Sequence, residues 1–458
     1  MSNAKVKDMT QGSPMKLILL FSLPVLLGNI FQQLYNMVDT IIVGRYLGYE
    51  ALAAVGATGS LNFLVLGFAN GLTSGFAVQV AQRFGAKDEA GLKKAEASAV
   101  ALSVGFTVVI TLLALFTAGP LLELIHTPTD IIEDAVLYIS IIYAGIVATM
   151  MYNLLACLLR AVGDSKSPLY FLIISSLLNI VLDIVLIRYA GMGVEGAAWA
   201  TVISQLVSGV CCLLYIWKRY PILHLSKADF KAPAAMYRRH LNIGLPMAFQ
   251  FCITAIGTVV VQGALNLFGT AKIAAFTAAC KAEQLVTQPA LTFGVAMANY
   301  SGQNMGAGRT DRIKEGVAKC TMLTLICAVI SMGILFVLGE PMTKLFMTSE
   351  EVDASVIDDI LASAQLYLRQ AAIFFPFLNM IFVYRNVLQG IGRSFMPLMG
   401  GVFELITRVA ASYYLPDLLG FRGICLAGPF AWISAAVPLG IAYYYIRRRN
   451  FYLPVDGK

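Results

Sequence analysis

Two side chains able to act as ion ligands, Asn179 and Asp183, stand four residues apart in the stretch LLNIVLDIVLI, Leu177 to Ile187. Four residues is just over one helical turn, so both project from one face of a helix. The segment around them, Leu169–Ile187, is largely apolar and long enough to cross a bilayer at ~1.5 Å per residue. A carboxylate at that depth costs about 2.5–3.5 kcal/mol on insertion scales, so something must offset it. The first half of the chain holds only one other acid deep in an apolar run, Asp39. Two carboxylates and an amide oxygen are hard ligands suited to a proton or Na⁺. Neighbouring carboxylates in a dry site cannot both stay ionised: one takes up a proton, or a cation bridges them. The competing reading is a structural hydrogen-bonded pair.

The elements that must position these residues are helices in a membrane. The chain has 458 residues, 58% hydrophobic and only 13% charged, against about 25% charged in soluble proteins. Apolar runs recur along its whole length. They are too long and too continuously apolar for the alternating ~10-residue segments of a membrane barrel. The polar start, Met1–Ser13, has no signal-peptide pattern and leads straight into the first run. The net charge of +7 reads as membrane topology and not as nucleic-acid binding. Eight cysteines, mostly inside apolar runs and without a CxxC, read as small buried hydrophobes. With no HExxH and no GxxxxGK[ST] motif, neither an enzyme nor a pump with its own nucleotide site is expected, and no cofactor.

Twelve spans are predicted, at 15–44, 51–80, 96–118, 133–158, 168–187, 194–217, 241–268, 273–299, 317–338, 360–388, 397–418 and 424–446. Basic residues collect in alternate connections: Lys5 to Lys16, Arg83 to Lys94, Lys218 to Arg239, Arg309 to Lys319 and Arg447 to Arg449. The opposite side holds the acidic clusters Asp130–Asp134 and Glu350–Asp359. The positive-inside rule then puts both termini in the cytoplasm of a plasma or inner membrane, as an even span count also requires.

The two halves repeat one another. SLP (Ser22–Pro24) meets GLP (Gly244–Pro246), Leu47-Gly48 meets Phe268-Gly269, and AQRFGA (Ala81–Ala86) meets GQNMGA (Gly302–Ala307). At a slightly larger offset, LLRAVGDSKSP (Leu158–Pro168) meets VLQGIGRSFMP (Val387–Pro397). Six spans repeated in one orientation give two lobes related by an axis along the membrane normal, with substrate expected at their interface. The lobes are expected at 1–217 and 241–446, joined by a cytoplasmic linker at 218–240 and followed by a basic tail at 447–458.

Several spans carry polar faces that hydrocarbon cannot satisfy. In span one Asn29, Gln32 or Gln33, Asn36 and Asp39 or Thr40 recur at three- and four-residue spacing. Span six has Thr201, Ser204 or Gln205, and Ser208; span seven has Gln250, Thr254, Thr258 and Gln262. A substrate cavity is expected to draw on Gln33, Asn36, Asn153, Gln205, Gln250, Thr254, Thr258, Glu283 and Arg385. Glu404 and Arg408, four apart, suit an intrahelical pair, and Lys281 suits a neighbouring carboxylate. These second-half charges line the cavity or form structural ion pairs.

VDTIIVGRYLG with the downstream ALAAVG, the N-x-x-x-D of span five and the six-plus-six repeat resemble the multidrug and toxic compound extrusion (MATE) transporters over essentially the whole chain. In the DinF-like branch of that family, the first-lobe cation site uses a first-helix aspartate, the Asn and Asp of N-x-x-x-D, and a sixth-helix threonine. The matching residues here are Asp39, Asn179, Asp183 and Thr201, which the resemblance marks as the coupling site for H⁺ or Na⁺. It also implies an all-α fold with a V-shaped pair of lobes and cation-driven export of small organic compounds, most often cationic amphipathic drugs. A functional monomer in contact with membrane lipid is expected. The NorM-like acids of helices seven and ten are missing, and Arg385 stands in span ten instead. A lipid-linked saccharide flippase of the same plan, whose pyrophosphate Lys281, Arg385 and Arg408 would bind, is the first rival. A receptor or scaffold is the second.

Overall fold

The structure is a computed structural model that describes residues 7–345 and 354–451. Glu350 to Asp353 of the second acidic cluster and the last residues of the basic tail lie outside the described residues. The first half folds as α1 (Pro14–Leu47), α2 (Tyr49–Ala57), α3 (Gly59–Gly85) and α4 (Glu89–Leu124). It continues with α5 (Ile132–Ala144), α6 (Ile146–Ala161), α7 (Lys166–Asp183) and α8 (Val194–Arg219). The second half follows as α9 (Ala234–Leu265), α10 (Thr270–Gly306), α11 (Thr310–Leu345) and α12 (Ala354–Ile373). It closes with α13 (Phe375–Gly390), α14 (Phe395–Leu419) and α15 (Phe421–Arg448).

Among the described residues, nine of these helices are long and apolar enough to cross a membrane, and eleven spans result if each bent pair counts as one. The sequence-predicted span missing from this count, the eighth at 273–299, corresponds to α10. It is long enough, at 37 residues, but Lys281, Glu283 and its run of small and polar residues dilute its hydropathy. Large apolar side chains on the outer faces stay uncovered by protein, as Val104, Leu113 and Phe116 do on α4 and Val329 and Val337 on α11. In a membrane their solvent is hydrocarbon.

The sequence repeat reappears as repeated backbone geometry. α5 and α6 meet at a 46° bend at Gly145, and α12 and α13 at a 52° bend at Phe374. The offset that sets Leu158 on Val387 also sets Gly145 on Phe374. The turns after α6 and α13 match bond for bond: Asp164 N donates to Leu159 O at 2.9 Å, and Arg393 N to Leu388 O at 2.8 Å. Both turns pass through a left-handed glycine, Gly163 at φ 89° and Gly392 at φ 84°, a conformation costly for any residue with a Cβ. A helix end of the same kind follows α3 and α10, with Lys87 at φ 57° and Gly308 at φ 68°. Asp88 then caps α4 through Gly91 N at 2.8 Å and pairs with Arg83 at 2.7 Å. The Gly91 amide, with the Arg83 guanidinium, holds its carboxyl below the usual range.

By packing, the chain divides into two compact units, residues 1–11 with 23–252 and residues 12–22 with 253–458. The basic connection at 218–240 is tied into the first unit. Tyr220 donates its hydroxyl to Asp164 at 2.6 Å, and Arg239 donates to Gln82 Oε1 at 2.9 Å. Within that unit α3 and α9 approach backbone to backbone. A Cβ on Gly75 would sit 2.5 Å from Gly244 Cα, and one on Gly71 2.6 Å from Ala248 Cα. Close approach at small residues is the usual source of packing energy between helices in lipid. Gly75→Leu should therefore lower the melting temperature of the purified protein, by overpacking worth about 1–3 kcal/mol or more. Gly105→Ala, on an open face of α4, should leave the melting temperature unchanged in the same size-exclusion thermal assay. Equal behaviour of the two would contradict the close approach.

Candidate functional site

In the first unit α1 supplies Asp39, α7 supplies Asn179 and Asp183, and α8 supplies Thr201. The structure brings these four sequence-predicted residues together. Asn179 and Asp183 are 1% and 0% exposed. Asn179 Nδ2 donates to Thr201 Oγ1 at 3.5 Å. The Asp39 and Asp183 carboxyl groups lie in each other's electrostatic field, and two carboxyl groups can bond each other only with a proton on one of them. Without one the site is short of donors. Asp39 Oδ1, both Asp183 oxygens and Asn179 Oδ1 are buried and accept no hydrogen bond, as does Gln205 Oε1 one turn along α8 from Thr201. Buried polar atoms are normally satisfied, and unmatched acceptors around two carboxylates call for a positive charge. All the ligands are oxygens, which fits H⁺ or Na⁺.

Local features hold the pair in place. α7 is α-helical up to Asp183 and then passes into a π-helical turn, Ile184–Tyr189, a wound-out geometry concentrated at functional sites. Within it Arg188 donates to Tyr46 Oη at 3.3 Å and lies over its ring at 5.6 Å, fastening the turn after α7 to the end of α1. On the other side Ser208 of α8 donates to Phe171 O of α7 at 2.9 Å. A Cβ on Gly145 would overlap Val202 Cγ2 at 2.3 Å. The α5–α6 bend thus makes room for the residue next to Thr201.

Sequence reasoning missed the π turn, the Arg188–Tyr46 clamp and two tyrosines in the electrostatic field of the carboxylates, Tyr35 and Tyr138. Tyr35 precedes Asp39 by four residues, so its place on the same face of α1 was readable. Tyr138, buried on α5, had no local signal. Other members of the expected polar faces serve their own helices. Thr40 donates to Asn36 O at 2.8 Å, Ser204 to Ala200 O at 2.7 Å and Thr258 to Thr254 O at 3.1 Å. Asn36 is exposed, Gln33 and Asn153 are half-buried and Gln250 is buried.

The second unit gathers charges of both signs. Glu404 accepts from Arg385 Nη2 at 3.2 Å and from Arg408 Nη2 at 2.6 Å. The intrahelical Glu404–Arg408 pair is therefore present, and α13 adds a second guanidinium to it. Glu283 of α10 accepts a hydrogen bond from the Tyr367 hydroxyl and lies in the field of Arg408. Lys281 is exposed.

Long apolar helices around a buried cluster of oxygen acceptors fit a membrane transporter. The chain belongs to the MatE family: the family model matches residues 24–185 and 246–414. The probable multidrug resistance protein YpnP of Bacillus subtilis is 28% identical over 448 residues, covering 97% of this chain and 98% of that protein. A solved outward-facing conformation of a multidrug resistance MATE family transporter of the MOP superfamily superposes with a TM-score of 0.88 at 25% identity. That match covers 98% of this chain and 99% of the other. A MOP superfamily transporter from Pyrococcus furiosus shares the fold at a TM-score of 0.89, with 24% identity over 98% of this chain and 99% of its own. It is described as having a binding pocket of reverse polarity that suggests a different function.

The excess of acceptors predicts the response to neutral replacements. Asp39→Asn or Asp183→Asn removes a charge and adds an amide donor, which should raise the melting temperature in Na⁺-free buffer, by about 1–3 kcal/mol of relieved desolvation. A fall in both variants, with native elution on size exclusion, would contradict the donor shortage.

Proposed function

We propose that this chain is a secondary antiporter that exports small organic compounds, amphipathic cations among them, while H⁺ or Na⁺ enters. The buried cluster of Asp39, Asn179, Asp183 and Thr201 carries this reading. Its orphaned acceptors need one positive charge, and a site that must be filled can be filled from either side of the membrane in turn. The match of these residues to the DinF-like pattern supports the assignment, and the multidrug resistance naming of YpnP supports the substrate class. One elementary charge crossing 100 mV releases about 2.3 kcal/mol, enough for a ~50-fold substrate gradient. Gln33, Asn36, Asn153, Gln205, Gln250, Thr254, Thr258, Glu283 and Arg385 are the residues proposed to meet substrate. We place the protein as a monomer in the plasma membrane with both termini in the cytoplasm, on the distribution of basic connections.

Two experiments test this reading. Expression in drug-sensitive cells should lower ethidium accumulation, and a protonophore or Na⁺ removal should abolish the effect. Export that survives collapse of both ion gradients but stops on ATP depletion would refute the coupling. Single cysteines introduced at Lys227 and at Asp130 should label from opposite sides of the membrane, and labelling from one side would refute the orientation.

A further inference from the structure

The second-unit charge cluster is the chemical complement of the first-unit site, being short of acceptors where the other is short of donors. A guanidinium carries five N–H donors in a planar fork. Glu404 takes one hydrogen bond from Arg385 and one from Arg408. The Nε–H of each arginine is buried with no acceptor. Glu283 balances the charge through space only, since its carboxylate accepts the Tyr367 hydroxyl. The three side chains are buried but not sealed, at 16% exposure for Arg385 and 14% for Glu404 and Arg408. Arg408 is laid against α9 at Gly257, where a Cβ would stand 3.3 Å from its Cδ. The missing side chain gives the arginine stem its path across that helix.

Two guanidiniums held by one carboxylate inside a membrane protein are costly as a purely structural device. Apolar residues of similar volume would fill the same space without desolvating three charges. The same fork geometry is the standard means of recognising a carboxylate, and Glu404 occupies only the Nη2 of each guanidinium. We infer that Arg385 and Arg408 form a subsite for a carboxylate carried by the transported compound, with Glu404 holding the pair apart and aligned when substrate is absent. The inference rests on the export reading and narrows its substrate class to amphipathic compounds that carry a carboxylate, zwitterions included. The bound carboxylate takes N–H donors that Glu404 leaves free, so no proton need move at this subsite.

The test uses the purified full-length protein and two probes, the free acid and the methyl ester of one rhodamine, which differ in that single group. Fluorescence polarisation should show the wild type binding the free acid more tightly, by about tenfold, the scale of one charge-assisted contact. Arg385→Gln and Arg408→Gln should bring the ratio of the two dissociation constants to about one. Arg385→Lys, which keeps the charge and loses the fork, should retain part of the preference. A structural role alone would weaken both dyes alike and leave the ratio untouched. A wild-type preference for the ester, equal affinities, binding of neither dye, or an unchanged ratio in both glutamine variants would overturn the subsite. The export reading stands or falls separately, on the ethidium experiment. Because the wild-type ratio needs no variant, poor folding of either mutant cannot rescue the inference.

Discussion

A carboxylate buried in hydrocarbon must be neutralised, and much of the first unit is arranged around the two that are. Asp183 is fully buried, and no side chain in its neighbourhood donates a hydrogen bond to either of its oxygens. Its charged neighbour is a second carboxylate, Asp39. Solvation of such a group by fixed acceptors is repulsive unless a proton or a metal cation completes it. The surrounding architecture then has a reason. The π turn ends the regular winding of α7 at Asp183, the Arg188–Tyr46 contact ties that turn to α1 beyond the pair, and Val202 wedged at Gly145 seats α8 beside Asn179.

The second unit answers to the same physics with opposite sign. The repeat reproduces the bends and the left-handed turns, yet the residues at the chemical positions have diverged. Arg385 and Arg408 converge on Glu404, and no second pair of facing carboxylates is found among the described residues of that unit. A duplicated scaffold keeps its turns because glycine and helix-end geometry fix the path of the chain. Its polar side chains are free to diverge, one copy holding Asp39 and Asp183 and the other Arg385 and Arg408 around Glu404.

Much of this was legible in the sequence because a membrane removes alternatives. An acid inside an apolar run is rare and expensive, so Asp39 and Asp183 stood out, and four-residue spacing set Asn179 and Asp183 on one face. The repeat motifs located the helix ends, since Gly163 and Gly392 are the residues that a left-handed turn requires. Three kinds of feature stayed hidden. A π turn depends on how α7 packs and carries no local signature in IVLIRY. Tyr138 reaches the site from a helix whose sequence reads as plain amphipathic packing. The span of α10 was legible as a polar-interrupted helix, but the pairing of its Glu283 with Tyr367, far along the chain, follows only from tertiary structure. Within the polar faces of spans one, six and seven, Thr40, Ser204 and Thr258 bond the preceding turn of their own helix.

The central claim is that the Asp39–Asp183 site holds one positive charge whenever substrate is absent, and gives it up when substrate binds. Ions released on addition of ethidium to the purified protein test this most directly, with H⁺ read by a pH-sensitive dye and Na⁺ by radiotracer in the same sample. The account predicts about one positive charge released per ethidium bound, summed over the two ions, with none from Asp183→Asn, as binding linkage requires. Ethidium binding by the wild type with release of neither ion would contradict it.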